Sequence, residues 1–156
     1  MIFVAVFFLS CRMSKPTASG CKIVQDYLKM SIELDKSSVA FGDSVNMLIK
    51  FTNITSDTVD FYPKATYFLA QLPESYHTRR ELLNCTMYLN MTAKVLPNEA
   101  YEQSQYIKID STFFVPGNNT FRLVYVALEL TRDNAKYNKL CGGLGSSEVT
   151  LKVYGE

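Results

Sequence analysis

His77 is the single histidine in 156 residues. Multi-histidine metal sites are therefore excluded, and a His-dependent triad would rest on the run Ser75-Tyr76-His77-Thr78-Arg79-Arg80, where no acid or nucleophile stands at an informative spacing. The run reads as a solvated polar loop, and its functional reading is a recognition surface carried by His77, Arg79 and Arg80. Ser19-Gly20-Cys21-Lys22 matches the Ser-x-x-Lys of serine acyl-enzymes in letters only, because that motif needs a helix start inside a rigid cleft. Gly142-Gly143-Leu144-Gly145-Ser146 has no phosphate-binding lysine and opens no helix, which makes it a hairpin turn. The four cysteines form no C-x-x-C pair, which argues against zinc and redox catalysis. Carboxylates are scattered, and the separation that a glycosidase pair requires is set by the fold. No catalytic residue, metal site or cofactor emerges, so the chain reads as a non-enzyme.

Binding chemistry is better represented. Ten tyrosines and no tryptophan are present, and a tyrosine ring offers a large apolar face with a polar tip. Tyr62, Tyr67, Tyr88 and Tyr106 fall at strand positions expected to face outward and are the candidates for a sugar platform; edge packing and loop anchoring are the structural alternative. The formal net charge is +1 with acids and bases interspersed, so no basic face announces nucleic acid.

The elements that must position these residues are strands. Leu28, Met30, Ile32 and Leu34 alternate with Lys29, Ser31 and Glu33, the period of a half-buried strand. Phe41-Gly42-Asp43 predicts a turn, and Val45, Met47, Ile49 and Phe51 predict the next strand, broken by Asn53-Ile54-Thr55-Ser56-Asp57. Short strands are expected at Val59–Phe61 and over residues 65–72. Residues 73–83 read as a loop or short helical turn, and Cys85, Met87, Leu89 and Met91 as another strand. Residues 101–109 supply a further one, with Ile107 and Ile109 inward. Pro116-Gly117-Asn118-Asn119 turns the chain into Phe121, Leu123, Tyr125 and Ala127, a strand apolar on both faces and therefore central. A polar loop is expected over residues 131–147, and Val149, Leu151 and Val153 close the chain. The prediction is an all-β chain of about seven to eight short antiparallel strands in two packed sheets.

The N-terminus has a different character. Ile2 to Leu9 is an unbroken apolar run, too short for a membrane span, and it ends in Phe8-Leu9-Ser10-Cys11. This resembles the lipobox of bacterial lipoproteins, which implies cleavage before Cys11, lipidation of that cysteine and a place outside the cytoplasm. An ordinary signal peptide or a buried strand are the other readings of the run. Thr17-Ala18-Ser19-Gly20-Cys21 is a second, weaker acceptor, since no apolar run abuts it. Residues 1–10 are thus read as signal peptide, 11–27 as a flexible tether and 28–156 as the folded domain. With Cys11 lipidated, Cys21, Cys85 and Cys141 remain, and Cys85 with Cys141 is the favoured disulfide. Cys21 with Cys141, or three buried thiols, are the alternatives.

Asp43-Ser44-Val45, Asp57-Thr58-Val59 and Asp110-Ser111-Thr112 resemble O-glycan acceptors of Bacteroidetes-type bacteria, in agreement with the lipobox. Asn53, Asn84, Asn90 and Asn118 begin N-x-Thr sequons, which bear on a eukaryotic secretory pathway only. Gly42-Asp43-Ser44-Val45 leading into Lys50-Phe51-Thr52-Asn53, and Pro116-Gly117 leading into Phe121-Arg122-Leu123-Val124-Tyr125, resemble bacterial immunoglobulin-like or fibronectin-like sandwiches. That resemblance implies an extracellular module and no particular chemistry. The expected function is a lipid-anchored binding or scaffolding module of the cell envelope, in the outer membrane or at the cell surface. Its partners would be the membrane, through the lipid, and an envelope protein or glycan. The alternatives are an exported protease inhibitor or accessory subunit, acting through an edge strand or the 73–83 loop, and a glycan-binding module using its tyrosines.

Overall fold

In the computed structural model, which describes residues 22–63, 66–72, 79–83, 92–127 and 140–155, alternation becomes strand wherever it was regular. Twelve strands follow in chain order among the described residues: β1 (Lys22–Ile23), β2 (Leu28–Leu34), β3 (Ser38–Ala40), β4 (Ser44–Asn53), β5 (Val59–Phe61), β6 (Thr66–Gln71), β7 (Arg79–Leu83), β8 (Ala93–Val95), β9 (Ala100–Lys108), β10 (Gly117–Ala127), β11 (Leu140–Gly145) and β12 (Val149–Tyr154). Eight of them have five or more residues, in line with the expected strand number, and the other four are two- or three-residue pieces.

Two sheets face each other in a β-sandwich. The smaller is antiparallel β2–β4–β9, with Ile32 opposite Ile49 and Ile49 opposite Gln103. In the larger, β10 has β6 on one edge and β12 and β11 in succession on the other; β7 lies outside β6. Two short pairings are parallel, β1 with β11 and β3 with β12, and depart from the all-antiparallel expectation. β5 and β8 form a separate two-stranded ribbon. No helix among the described residues is long and apolar enough to cross a membrane.

Inward residues of both sheets make the core. Val45, Met47, Ile49 and Phe51 of β4 are buried, as are Phe121, Leu123, Tyr125 and Ala127 of β10. Phe51 sits at the centre of an aromatic cluster, its ring 4.8 Å from Phe61, 5.2 Å from Tyr125 and 6.4 Å from Tyr67. Such tilted and edge-on contacts add to the area that the rings remove from water. The turn before β4 needs Gly42, whose φ of +86° is one that side-chain-bearing residues rarely adopt.

Three expectations are corrected. The tether does not run to residue 27: Lys22–Ile23 pairs with β11, and Val24, in a 3-10 turn, is fully buried. Residues 79–83, read as loop, form β7, because the edge of β6 supplies a hydrogen-bonding partner that local sequence does not reveal. The glycine-rich stretch is a strand instead of a turn, with Gly143 opposite Val126 and Gly145 opposite Val124. Residues 1–21, and with them the expected signal peptide, Cys11 and Cys21, lie outside the described residues, as do Cys85 and the strand expected around it.

Candidate functional site

The tyrosines proposed as one outward platform are dispersed. Tyr67 is 1% exposed, a correction to its expected outward position. Its hydroxyl donates to the Pro63 carbonyl and accepts from Gln103 Nε2 at 2.7 Å, so the polar tip is satisfied inside the protein and the ring is free to fill core. Tyr62 is half-buried, and its carbonyl accepts from the Tyr125 hydroxyl at 2.9 Å. That buried Tyr125 phenol has its pKa pushed well above the usual value by desolvation, so it stays neutral. Tyr67→Phe should lower stability by about 1–2 kcal/mol, measured by chemical denaturation, because it removes the hydroxyl's two hydrogen bonds and leaves Gln103 Nε2 and the Pro63 carbonyl with only their 3.2 Å contact to each other. Tyr106 alone among the described candidates is fully outward, 73% exposed on β9. Tyr88 and His77 lie outside the described residues. Arg79 lies in β7 and Cys141 in β11, opposite Ile23, and only their backbones are described.

Arg80 has a defined role. It projects from β7 to the end of β9, where Nη1 lies 2.8 Å from Asp110 Oδ2 and 3.5 Å from the Lys108 carbonyl. Asp110 starts the turn that closes this end of the sandwich: Phe114 N–H donates to its carbonyl at 3.0 Å, and Thr112 N–H to its Oδ1 at 3.1 Å. The Thr112 hydroxyl hydrogen bond holds the Asp110 carboxyl below its ordinary range against desolvation, the next largest influence, and the Arg80 charge adds to the lowering. A lowered carboxyl pKa contributes stability that is fully present above the unfolded value of 3.8 and is lost as pH falls through the folded value. Asp110→Asn should therefore flatten the acid limb of a stability profile below about pH 4 and lower stability slightly above it. Denaturation midpoints measured across that range check this.

Beside the pair opens a cleft of about 520 Å³ whose walls include Phe41, Lys108, Asp110 and Pro116. The loop before β4 and the ends of β9 and of the chain bring them together. Two residues back along β9, the outer face of the smaller sheet carries Tyr106 directly opposite Asn46. Asp35 is locked to the same row, its N–H donating to the Asn46 carbonyl at 3.0 Å and its Oδ1 accepting from Asn46 N–H at 2.9 Å. Glu33, Asp35, Asn46 and Leu48 line a second cleft of about 220 Å³. Sequence reasoning singled out Tyr106 and Arg80 but missed Lys108, Asp110 and Asn46. The only signal that Lys108 and Asn46 left was their polar, outward-alternating placement on strands, and Asp110 left only its place as a turn former after β9.

Among the described residues no group of three or more His, Cys, Asp or Glu side chains is placed to hold a metal. The sequons differ in setting: Asn53 is 1% exposed, whereas Asn118 is exposed, and Asn84 and Asn90 lie outside the described residues. Ser44, Thr58 and Ser111 of the acceptor-like triplets are all exposed.

No protein-family model matches the chain, and no curated protein matches it. Similar solved structures include the CARDB domain of the PF1109 protein from Pyrococcus furiosus in complex with di-metal ions, at TM-score 0.44 and 10% identity, covering 83% of this chain and 96% of that one. The structural genomics target SoR45 is similar at TM-score 0.44 and 10% identity, over 81% of this chain and 84% of that one. AvmM, described as catalysing macrocyclization in alchivemycin A biosynthesis, is similar at TM-score 0.43 and 10% identity, over 84% and 90%. No residue role is carried over from any of them.

Proposed function

We propose that this chain is a non-catalytic binding or scaffolding module, held at the cell envelope outside the cytoplasm by lipid on Cys11. The observation that carries the binding reading is the end cleft, where a concave surface with apolar walls from Phe41 and Pro116 meets fixed charges. Those charges are already committed. Asp110 accepts from Thr112 and Arg80 and stays ionised, which suits recognition and not proton transfer. Lys108 extends from the same strand end and offers an adaptable cation at the mouth. The lipobox supports the anchor, and the several acyl chains of a bacterial lipoprotein would hold the domain firmly where one chain binds only marginally. With a net charge of +1, nucleic acid is not a partner in this reading.

One observation favours a second reading as an inhibitor or accessory subunit. Among the described residues β7 pairs only with β6, so its other edge offers backbone groups for strand addition. Capture from detergent-solubilised envelope with the wild-type chain and with Lys108→Glu separates the two. The cleft reading expects a component retained by wild type and lost by the variant. One stoichiometric protease retained equally by both would establish the inhibitor and overturn the cleft.

A further inference from the structure

We propose that β9 is the edge through which two copies of this chain join, antiparallel and two-fold symmetric about Gln105, so that the two smaller sheets become one. Among the described residues β9 pairs only with β4, and that ladder runs without a bulge from Ser44 opposite Lys108 to Thr52 opposite Ala100. Ile109 N–H donates to the Asp43 carbonyl, the Ile109 carbonyl accepts from Gly42 N–H, and the Glu99 carbonyl accepts from Asn53 N–H. Odd-numbered residues of β9 therefore turn their backbone groups to β4, and Glu102, Ser104, Tyr106 and Lys108 turn theirs away from it. Two of those outward carbonyls are met by side chains, Lys108's by Arg80 Nη1 at 3.5 Å and Tyr106's by Gln105 Nε2 at 3.3 Å. Both bonds are longer than those of a strand ladder, so pairing improves on them.

Native proteins keep open edges short, bulged, covered or broken by proline. β9 has nine residues, no proline and no glycine, and its only charged residues are Glu102 and Lys108. β2, the other edge of the smaller sheet, is instead flanked by the 3-10 turn at residues 24–26 and by β11.

What selects a second copy is that the edge complements itself. Glu102 and Lys108 lie three residues on either side of Gln105. Antiparallel pairing centred there sets Glu102 opposite the partner's Lys108 and Lys108 opposite the partner's Glu102, while matching outward-bonding residues with one another. Glu102 already accepts from Lys50 Nζ at 2.9 Å and has a second carboxylate oxygen for the incoming lysine. Ser104 falls opposite the partner's Tyr106, and the two Tyr106 rings meet diagonally across the axis, about 7–8 Å apart at the backbone and within aromatic reach. Tyr106 is 73% exposed in the single chain, more than any other large hydrophobic residue among those described, and this pairing covers it. Neighbouring registers lack the match. Centring on Tyr106 sets Glu102 opposite Asp110, and centring on Ser104 leaves Lys108 opposite Ala100.

This dimer goes beyond the reading of the end cleft and shares only Lys108 with it. The test is analytical ultracentrifugation of the full chain in density-matched detergent, for wild type, Glu102→Lys, Lys108→Glu, the double charge swap, and an equimolar mixture of the two single variants. Wild type should dimerise. Each single variant should weaken the dimer about tenfold or more, because symmetry turns both attractive pairs repulsive, and the double swap should restore it. The mixture should dimerise although neither variant does so alone, since each chain then offers the charges that the other lacks. Glu102→Lys should also still retain the envelope component that Lys108→Glu loses, which keeps the dimer and the cleft apart. A wild-type chain that stays monomeric up to about 0.1 mM, a dimer untouched by Glu102→Lys, or a double swap as weak as the single variants would each overturn the proposal.

Discussion

Phe51→Ala is expected to destabilise the protein by about 4 kcal/mol, the largest effect of any single truncation considered for this fold. Phe51 is fully buried at the middle of the smaller sheet and contacts rings from β5, β6 and β10. Truncation removes transfer free energy and leaves a cavity that the two tyrosine rings cannot collapse into, because their polar tips are fixed. Tyr67 is tied to Pro63 and Gln103, and Tyr125 to the Tyr62 carbonyl. Chemical denaturation with an unchanged m-value would measure the loss; a change below about 1.5 kcal/mol would mean that the cluster rearranges freely.

Asn53→Ala should cost about 3 kcal/mol, although it deletes only an amide. Asn53 is 1% exposed at the end of β4 and serves the loop that follows. Its Nδ2 donates to the Asp57 carbonyl at 2.7 Å and to the Val95 carbonyl at 3.0 Å, while its Oδ1 accepts from Thr55 N–H at 2.9 Å and from the Thr55 hydroxyl at 2.8 Å. The side chain therefore replaces a backbone turn and ties the loop to β8, and alanine removes four hydrogen bonds together, leaving the Thr55 hydroxyl and the Asp57 carbonyl only their 3.1 Å bond to each other. Asn53→Asp should cost at least as much as alanine, since a carboxylate keeps the Thr55 acceptor but sets an oxygen where Nδ2 donated to the Asp57 and Val95 carbonyls, in a site 1% exposed. Equal stability of all three proteins would contradict this. Thermal unfolding of the three chains in one buffer decides it.

Both residues show how far local pattern reaches. Phe51 was legible because β4 alternates strictly, and the same period found β2, β9, β10 and β12, hence the sandwich. Asn53 was legible only as a turn former, since its partners on Asp57 and Val95 are products of folding. Tyr67 was misplaced for a simple reason: β6 is apolar at Tyr67, Phe68, Leu69 and Ala70 alike, so period two cannot say which parity faces the core. β11 was hidden because glycines have no side chains to alternate, and its place is set by pairing with β10. β7 begins with Arg79-Arg80-Glu81, charges that suit an edge strand and disguise it as loop. Val24 lies in a single 3-10 turn, too short to express a period. In the candidate site, exposure made Tyr106 recoverable from alternation. Its juxtaposition with Asn46 depended on the register between β4 and β9, and the pairing of Arg80 with Asp110 depended on a strand edge absent from local sequence.

The proposed place of this sandwich is outside the cytoplasm on a lipid, and intact-mass analysis of the full chain extracted from membranes with detergent tests that claim most directly. The expected species begins at Cys11 and carries the added mass of acyl chains. A species retaining Met1, or one beginning at an unmodified Cys11, would contradict it.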